Sequence, residues 1–490
     1  MKTKFFKTLL ILAIAFLAPA VLSGCKAKCP KPTENIPGTS TFRADCPYEE
    51  AAAGSGQKEL NFYFVHDNTD DFKEQIQAFQ SKNQGVVIRT KKFDNLQEYE
   101  DAIINEIAQG EGPDVFMVHN TWLPKHYKKL LPLPANQPII MSADLFRQTF
   151  FQAATDDLII DEKVYGMPMS IDNLAVFYNK AYFRDLLTAD RPSDLWEGIK
   201  EQVATLTKRN NSPERFALAG MAMGRADNIS SAIDILYALM LEYGVGFYDE
   251  KEEKAIFADG GAVGQEAPGV SALTLFTSFA LSTYKHSSWN DTITGYAPEE
   301  KEINPFVRGK VAMVIGYPYL YSAIQQGIEN QQRSGSQHID LKDVGVAPFP
   351  QLVSGTEATK RDTYASYFPL VVARTTKYPQ EAWSFVQFMT SADALQTYYK
   401  KTHRPTSRRD MIDEQQTDPI FGAFAYQASF AKSFKVFDAT AYNKIFSDAI
   451  QQVVMNMATP EEALKQAQDK ITCVIRKQKG LAGSETDCGI

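Results

Sequence analysis

The chain has 490 residues, of which 44% are hydrophobic and 22% are charged, and its formal net charge is −8. A chain of this length can bury a large core, which is expected to divide into two domains. The acidic balance argues against a nucleic-acid partner, because binding to nucleic acid depends on Lys and Arg that neutralise phosphates.

The first 24 residues predict a signal peptide. Lys2, Lys4 and Lys7 precede an apolar stretch over residues 9–18, and small residues stand directly before Cys25. This stretch is shorter than the roughly 20 residues that cross a bilayer, so a membrane span is the weaker interpretation. We expect a mature protein that begins at Cys25, carries palmitate-type lipid there and is anchored outside the cytoplasm, periplasmic or on the outer cell surface. The alternative is an ordinary signal peptide followed by a chance cysteine.

Four further cysteines stand near the two ends of the chain, at Cys29, Cys46, Cys473 and Cys488. An even number in an oxidising compartment predicts two disulfides. The pairing stays open between local bonds and bonds that join the two ends. The six histidines are scattered, so we expect no metal site, and no motif calls for a cofactor.

Residues 26–57 are rich in Pro, Gly, Ser and Thr and predict a tether. Three apolar runs then predict buried strands, at residues 60–65, 86–88 and 115–118. Apolar residues at helical spacing, including Phe72, Ile76 and Ile103, separate these strands. The β-α-β-α-β order predicts an α/β fold with a parallel sheet and ligands at the carboxyl ends of its strands.

Five sequence blocks resemble, in the same order, the maltose-binding-protein-like family of extracellular solute-binding proteins. The blocks are residues 112–118 (GPDVFMV) with 122–124 (WLP), 164–168 (VYGMP) continuing through Asp172 to 177–180 (FYNK), 306–313 (FVRGKVAM) continuing to 316–319 (GYPY), 379–383 (PQEAW), and 458–464 (ATPEEAL). Together they cover residues from about 58 to 472.

This resemblance implies a two-lobed periplasmic-binding-protein-like fold of type II, in which each lobe is a mostly parallel sheet flanked by helices. It implies three crossings between the lobes, near residues 168–172, 366–370 and 418–422. The resulting division is a signal peptide at 1–24, a lipidated tether at 25–57, lobe 1 at 58–170 and 368–416, lobe 2 at 171–367 and 417–475, and a tail at 476–490.

The resemblance also implies a ligand site. Asp172 matches a carboxylate that accepts hydrogen bonds from sugar hydroxyls, and Tyr319, in the aromatic turn with Tyr317, matches an aromatic that stacks on sugar. The strand-end residues Asp67, Asn68, Asn120 and Trp122 match ligand contacts, and Tyr442 is a looser match. Each has a structural alternative: Trp122 fits a core, Asp172 fits a cap or salt bridge, and the alternating tyrosines fit a packed surface.

Two further aromatic positions are candidate ligand contacts. Trp289 stands in a polar loop as an exposed-looking indole, which suits either a cleft cover or a surface anchor. Tyr364 flanks the second crossing, with the same ambiguity.

We therefore expect the lipid-anchored substrate-binding component of an ABC importer: a monomer that binds a mono- or oligosaccharide and delivers it to permease subunits. No nucleophile elbow or zinc-protease motif is present, so we expect no enzyme, although only geometry could exclude a pair of glycosidase carboxylates. One alternative is a surface lipoprotein that binds a protein, peptide or polysaccharide without transport. Another is a different cargo: a polyamine, an amino acid derivative, or a phosphorylated polyol held by Arg361, Arg374 or Arg404.

Overall fold

The computed structural model describes residues 57–134, 141–187, 189–210, 215–261, 266–294, 301–352, 361–481 and 487–490. The strands are Lys58–Val65 (β1), Val86–Phe93 (β2), Val115–Met117 (β3), Ile159–Ile160 (β4), Lys163–Val164 (β5), Gly166–Pro168 (β6), Ala175–Asn179 (β7), Lys208–Arg209 (β8), Phe216–Leu218 (β9), Met313–Gly316 (β10), Val344–Pro348 (β11), Thr363–Tyr364 (β12), Pro369–Val372 (β13) and Ala431–Lys432 (β14). The α-helices are Thr69–Lys82 (α1), Leu96–Gln109 (α2), Leu123–His126 (α3), Ala143–Thr149 (α4), Gln152–Leu158 (α5), Lys180–Tyr182 (α6), Trp196–Leu206 (α7), Ala232–Glu242 (α8), Pro268–Ser278 (α9), Ile303–Val307 (α10), Tyr319–Ser334 (α11), Pro379–Met389 (α12), Ala392–Thr402 (α13), Ile412–Gln415 (α14), Gly422–Gln427 (α15), Ala439–Val454 (α16) and Pro460–Gln478 (α17). The predicted signal peptide, Cys25, Cys29, Cys46 and all of the tether except Gln57 lie outside the described residues.

The first sheet has the strand order β2-β1-β3-β13-β6. β1 runs parallel to both β2 and β3, and α1 and α2 connect these strands along the chain. The β-α-β-α-β order predicted from the sequence is thereby confirmed. Residues 62–65 of β1 are all buried, as expected for a parallel strand that is covered on both faces.

Helix α2 shows how local sequence sets an element at the edge of this sheet. The Asn95 side chain caps the helix by accepting hydrogen bonds from the backbone N–H groups of Gln97 and Glu98, at 2.9 and 3.0 Å. Gly110 ends it with a left-handed φ of 76°. Asn95 therefore fixes where α2 begins, and Gly110 fixes where it ends.

The second sheet has the order β10-β7-β11, and β7 is antiparallel to both neighbours. The expectation of a mostly parallel sheet in each lobe is therefore wrong for this sheet. The reason is the route of the chain: Ala175, at the start of β7, pairs with Gly316 and Pro348, at the ends of β10 and β11. β7 therefore begins at the end of the sheet where β10 and β11 finish, so it runs in the opposite direction to both.

Buried apolar residues form two cores. The first core consists of residues 60–171 and 365–412 together with Ala425, Ala428 and Ala431. The second core consists of residues 174–364, Phe421, Phe424 and residues 436–475. The chain therefore changes core between Ile171 and Leu174 and again between Tyr364 and Ala365.

The segments that pass between the cores pair with one another. Asn173 forms a bridge with Ala365, and β12 runs parallel to β14. Alanines of the first core continue past the predicted lobe boundary at residue 417, because one side of α15 packs against that core. We propose that the lobes divide near the predicted first and second crossings, and that the third crossing lies at Ala431–Lys432 instead of residues 418–422.

The C-terminal segment is tied to α17 by a disulfide between Cys473 and Cys488, which corresponds to the local pairing at this end of the chain. Thr459 and Glu462 form a capping box at the start of the same helix. None of the described helices combines the length and the apolar composition that a membrane crossing requires.

Candidate functional site

A cavity of about 480 Å³ lies between the two cores. This volume falls within the range of roughly 300–1,000 Å³ that is usual for small-molecule sites. Residues from both cores and from the crossing segments line it: Asn95, Leu96, Gln97, Glu100, His119, Thr121, Trp122, Asp234, Tyr237, Tyr364, Ser366, Val436, Ala439, Thr440 and Asn443. We call this cavity the cleft.

Trp122 and His119 form the wall on the side of the first core. Both residues follow β3. The chain turns through a short 3₁₀ helix, Asn120–Trp122, at the carboxyl end of this strand. The indole of Trp122 packs edge to face against Phe368, with ring centroids 6.4 Å apart. Trp122 is only 8% exposed, so it serves both as part of the core and as a cleft surface.

The His119 ring is held on both of its nitrogens. Nδ1 lies 2.6 Å from Oγ1 of Thr121, and Nε2 lies 2.8 Å from Oγ of Ser366 in the second crossing segment. Burial lowers the pKa of His119 to about 4, so the ring is neutral at pH 7. His119 is therefore a fixed, uncharged part of the cleft wall, with both ring nitrogens used by protein hydroxyls.

Tyrosines form the wall on the side of the second core. Tyr237 of α8 lies beside Tyr364 of β12, with ring centroids 5.4 Å apart, and Phe434 packs edge-on against Tyr237. The hydroxyl of Tyr237 is buried and has no hydrogen-bond partner among the described residues. Tyr364, a predicted ligand contact, lies in the cleft wall with only 1% of its surface exposed.

Asp234 places a carboxylate in this tyrosine wall. It precedes Tyr237 by three residues, so both side chains lie on the same face of α8. The Tyr317 hydroxyl donates a hydrogen bond to Oδ2 of Asp234 at 2.8 Å. Burial raises the pKa of Asp234 to about 6, and the hydrogen bond from Tyr317 opposes this shift.

The predicted contacts Tyr317 and Tyr319 lie near this carboxylate. Their rings are stacked, with centroids 6.2 Å apart. Tyr317 is 5% exposed, whereas Tyr319 is 49% exposed at the start of α11. The pKa of Tyr319 is raised to about 12, first because packing removes water from its hydroxyl group and then because of the charges of Asp234 and other carboxylates, including Asp172. Tyr319 therefore presents an accessible ring close to two of the carboxylates.

Asp67 and Asp172, both predicted to contact ligand, share one cation. Arg404 lies 3.1 Å from Asp67 and 3.8 Å from Asp172, and the Tyr398 hydroxyl donates to Asp67 at 3.1 Å. Burial raises the pKa of Asp67 to about 6, although Arg404 acts in the opposite direction. Burial also raises the pKa of Asp172, and Oδ1 of Asp172 has no hydrogen-bond partner among the described residues. Neither Asp67 nor Asp172 is among the described residues that line the cleft, and the unpaired oxygen of Asp172 is itself buried.

The sequence makes Arg404 a candidate phosphate ligand, but in the structure it pairs with two carboxylates. Its guanidinium is already neutralised by Asp67 and Asp172. Arg361 lies over the ring of Tyr426, away from the cleft lining. No Lys or Arg lines the cleft within the part of the chain that the structure describes.

Asn120 is predicted from the sequence to contact ligand, but the structure places its side chain elsewhere. Its Nδ2 donates to Asp157 at 3.0 Å, and its Oδ1 accepts from the backbone N–H of Tyr367 at 3.4 Å. The hydroxyls of Tyr367 and Ser433 also donate to Asp157, both at 2.7 Å. The amide of Asn120 is therefore used in joining the crossing segments and does not reach into the cleft.

Trp289 and Tyr442 are also predicted to contact ligand, and the structure places both in a core instead. Trp289 is fully buried in the second core, where its indole N–H donates to Oδ1 of Asn228 at 2.8 Å. Tyr442 is 1% exposed, and its hydroxyl lies 3.2 Å from that of Tyr248. Both aromatic side chains stabilise the second core and do not line the cleft.

Asn68 has a local structural role. It stands at the N-cap of α1, where its backbone N–H donates to the Asp71 carboxylate at 2.7 Å. Its side-chain oxygen accepts a hydrogen bond from Lys92 at 3.3 Å, and the residue is exposed. Asn68 does not line the cleft.

Sequence reasoning missed Asp234, Tyr237, His119 and Ser366. The first two had a detectable signal, since α8 reads AIDILYALMLE and Asp234 is a charged residue in a mostly buried apolar helix. A charge at such a position needs a partner or a function. For His119 and Ser366 the signal was weaker, because only the folded chain brings these positions, 247 residues apart, into contact.

Within the described residues, no group of three or more His, Cys, Asp or Glu side chains could hold a metal ion. The site consists of aromatic faces, amide and hydroxyl groups and a few carboxylates. This combination is typical of sites that bind small organic ligands, and it lies in the space between two lobes of an α/β fold. The fold and site therefore define a two-lobed binding protein.

Comparisons with known proteins agree with this class. A solved structure of the same fold, the ABC substrate-binding protein Lmo0181 from Listeria monocytogenes in complex with cycloalternan, has a TM-score of 0.66, covers 87% of this chain and 100% of its own, and is 16% identical. A maltodextrin-binding protein of Bacillus subtilis is 22% identical over 381 residues, which are 76% of this chain and 80% of its own. A Brucella abortus protein whose name assigns it only a binding role is 23% identical over 414 residues, which are 83% of this chain and 90% of its own.

The family model of bacterial extracellular solute-binding proteins matches residues 66–396. The match covers more than half of the chain and includes both walls of the cleft except its last segment, residues 436–443. The chain belongs to this family.

Proposed function

We propose that this protein is the lipid-anchored substrate-binding component of an ABC importer. It captures a mono- or oligosaccharide in the cleft and delivers it to the permease subunits, without changing the ligand chemically. It acts as a monomer outside the cytoplasm, held to the membrane by lipid on Cys25.

The composition of the cleft is the observation that carries this proposal. A sugar ring has apolar faces and an edge of hydroxyl groups, so it needs flat aromatic surfaces together with polar side chains. Trp122 supplies an aromatic surface on one wall, and Tyr237 and Tyr364 supply surfaces on the other. Amide, hydroxyl and carboxylate groups from Asn443, Thr440 and Asp234 stand between them.

The two walls belong to different cores, which explains how binding can be coupled to closure. A ligand that touches both walls favours the closed arrangement, because only that arrangement gives all of the contacts. The paired crossing segments at Asn173, Ala365 and β14 are the points where the backbone would bend. The relatives of this chain support an oligosaccharide cargo, since one is a maltodextrin-binding protein of Bacillus subtilis.

The cargo is tested by calorimetry on the mature chain, made soluble by Cys25→Ser. Its ligand panel contains maltooligosaccharides, monosaccharides, polyamines and amino acids. We expect one saccharide class to bind, and we expect Trp122→Ala to weaken this binding at least about tenfold, because a buried aromatic contact is commonly worth more than about 1.4 kcal/mol. The control is Tyr284→Ala, an exposed aromatic outside the cleft. Folded protein that binds no saccharide would refute the proposed cargo.

The anchor and the delivery step are tested in cells. Metabolic labelling with a palmitate analogue should label the wild-type chain, and Cys25→Ser should lose both the label and the membrane fraction. Crosslinking of the ligand-loaded protein should recover permease subunits. A membrane-bound Cys25→Ser protein would contradict lipid anchoring, and a loaded protein that crosslinks to no permease would favour a lipoprotein that binds without transport.

A further inference from the structure

The carboxylate of Asp234 is held in the cleft without a cation. Its hydrogen-bond partner is the neutral hydroxyl of Tyr317. No Lys, Arg or His forms an ion pair with it among the described residues, whereas Asp67 and Asp172 on the other side share Arg404. A partly buried carboxylate without a cation is costly to the free protein, because the packing around it removes water that would stabilise its charge.

The groups around Asp234 are those that favour a positive charge. The face of an aromatic ring carries negative electrostatic potential and attracts cations. Tyr237 and Tyr364 both line the cleft with Asp234, and the accessible ring of Tyr319 lies nearby. The hydroxyl of Tyr237 is buried and has no hydrogen-bond partner among the described residues.

The other charged groups of the cleft do not cancel this negative potential. Among the described residues, the cleft lining contains no Lys or Arg, and His119 is neutral. Glu100, the second carboxylate of the lining, is already matched, since His126 lies 3.3 Å and Lys125 4.0 Å from its Oε1. Of the two carboxylates that line the cleft in the described part of the chain, Asp234 is therefore the one that lacks a cation.

We propose that the cleft selects a saccharide that carries a protonated amine, an amino sugar, with the ammonium group placed between the Asp234 carboxylate and the rings of Tyr237 and Tyr364. This inference rests on the proposed saccharide cargo and narrows its chemistry. A neutral sugar would give the carboxylate hydrogen bonds but would leave its charge uncompensated. An ammonium group supplies both the hydrogen bonds and the opposite charge.

The test is calorimetry at pH 7 on the Cys25→Ser mature chain, with sugars that differ at one substituent. The probes are glucosamine, galactosamine and mannosamine, each beside its hydroxyl and its N-acetyl counterpart, and the β-1,4-linked glucosamine dimer beside cellobiose. We expect at least one amine to bind tenfold or more tightly than both counterparts, and this preference should shrink when the salt concentration is raised.

Two variants separate charge recognition from folding. Asp234→Asn keeps the shape and an acceptor for Tyr317 but removes the charge, so the amine should lose at least tenfold in affinity while a neutral counterpart changes less than threefold. Asp469→Asn removes an exposed carboxylate of α17 and should leave both affinities unchanged. The melting temperature of free Asp234→Asn should equal or exceed that of the wild type.

The outcomes distinguish this inference from the proposed function. Neutral sugars, maltooligosaccharides included, that bind as tightly as every amine would overturn the inference and leave the saccharide cargo in place. A chain that binds no saccharide at all would overturn both. Equal losses of amine and neutral sugar in Asp234→Asn would also overturn the inference, because Asp234 would then act only as a hydrogen-bond acceptor.

Discussion

The ammonium group of Lys125 lies 3.7 Å from Oδ2 of Asp438. Lys125 is part of α3, which follows the first sheet, and Asp438 is the N-cap of α16 in the part of the chain that packs in the second core. The ion pair therefore joins a segment that follows the first sheet to one that packs in the second core. Contacts of this kind influence how readily two lobes separate.

We predict that Lys125→Met loosens the closed arrangement. Partly exposed ion pairs are worth about 0–1 kcal/mol, so ligand affinity should fall by no more than about fivefold. Asp438→Asn keeps a capping side chain while it removes the charge, which makes a double-mutant cycle possible. Calorimetry should show that the double variant loses no more than either single variant. Fully additive losses would mean that the pair has no role in closure.

We predict that Arg404→Met strongly destabilises the protein. It leaves the buried carboxylates of Asp67 and Asp172 without their shared cation, a loss of about 3–5 kcal/mol in the free energy of unfolding. Arg408→Met is the control, since Arg408 pairs with the exposed Asp410 and should cost about 1 kcal/mol or less. Urea unfolding measures both changes. Adding Asp67→Asn to Arg404→Met should restore part of the stability, and a failure to restore any would argue against charge as the cause.

We predict that Asp234→Asn stabilises the free protein in a pH-dependent way. The folded-state pKa of Asp234 is about 6, above its ordinary value of 3.8, so the folded state holds this proton more tightly than the unfolded state. The wild type therefore loses stability as the pH rises from about 4 through 6, and the variant does not lose this contribution. The difference should reach about 1–3 kcal/mol at pH 7 and vanish near pH 4, measured by urea unfolding. A difference that is constant with pH would contradict the assignment.

We predict that Trp289→Ala damages the fold and leaves the site intact. The indole is fully buried and bonded to Asn228, so its removal should cost about 3–5 kcal/mol of unfolding free energy. The affinity of the remaining folded protein for its ligand should change less than twofold. A tenfold loss of affinity at unchanged stability would return Trp289 to the site.

Local pattern accounts for the parts of the fold that were predicted correctly. Helical spacing of Phe72, Ile76 and Ile103 and the short apolar runs between them identified the first strands and helices, because burial on one face repeats with the period of the element. The prediction for Trp289 is wrong because local pattern was the only guide there as well. Its neighbours are polar, and nothing local shows that Asn228, 61 positions earlier, accepts the hydrogen bond of the indole in the core.

The sequence by itself determined the α/β class, the family resemblance and the acidic character, and it placed Trp122 and Tyr364 among the candidates that do line the cleft. Only the tertiary structure decided that Asp234 and Tyr237 face Trp122 across the cleft, and that Asn120 and Tyr442 do not reach it. The physical reason is the range of the interactions. Periodicity and capping act between residues a few positions apart, whereas the cleft forms where chain segments hundreds of residues apart pack together, and the burial that raises the pKa of Asp234 exists only after that packing.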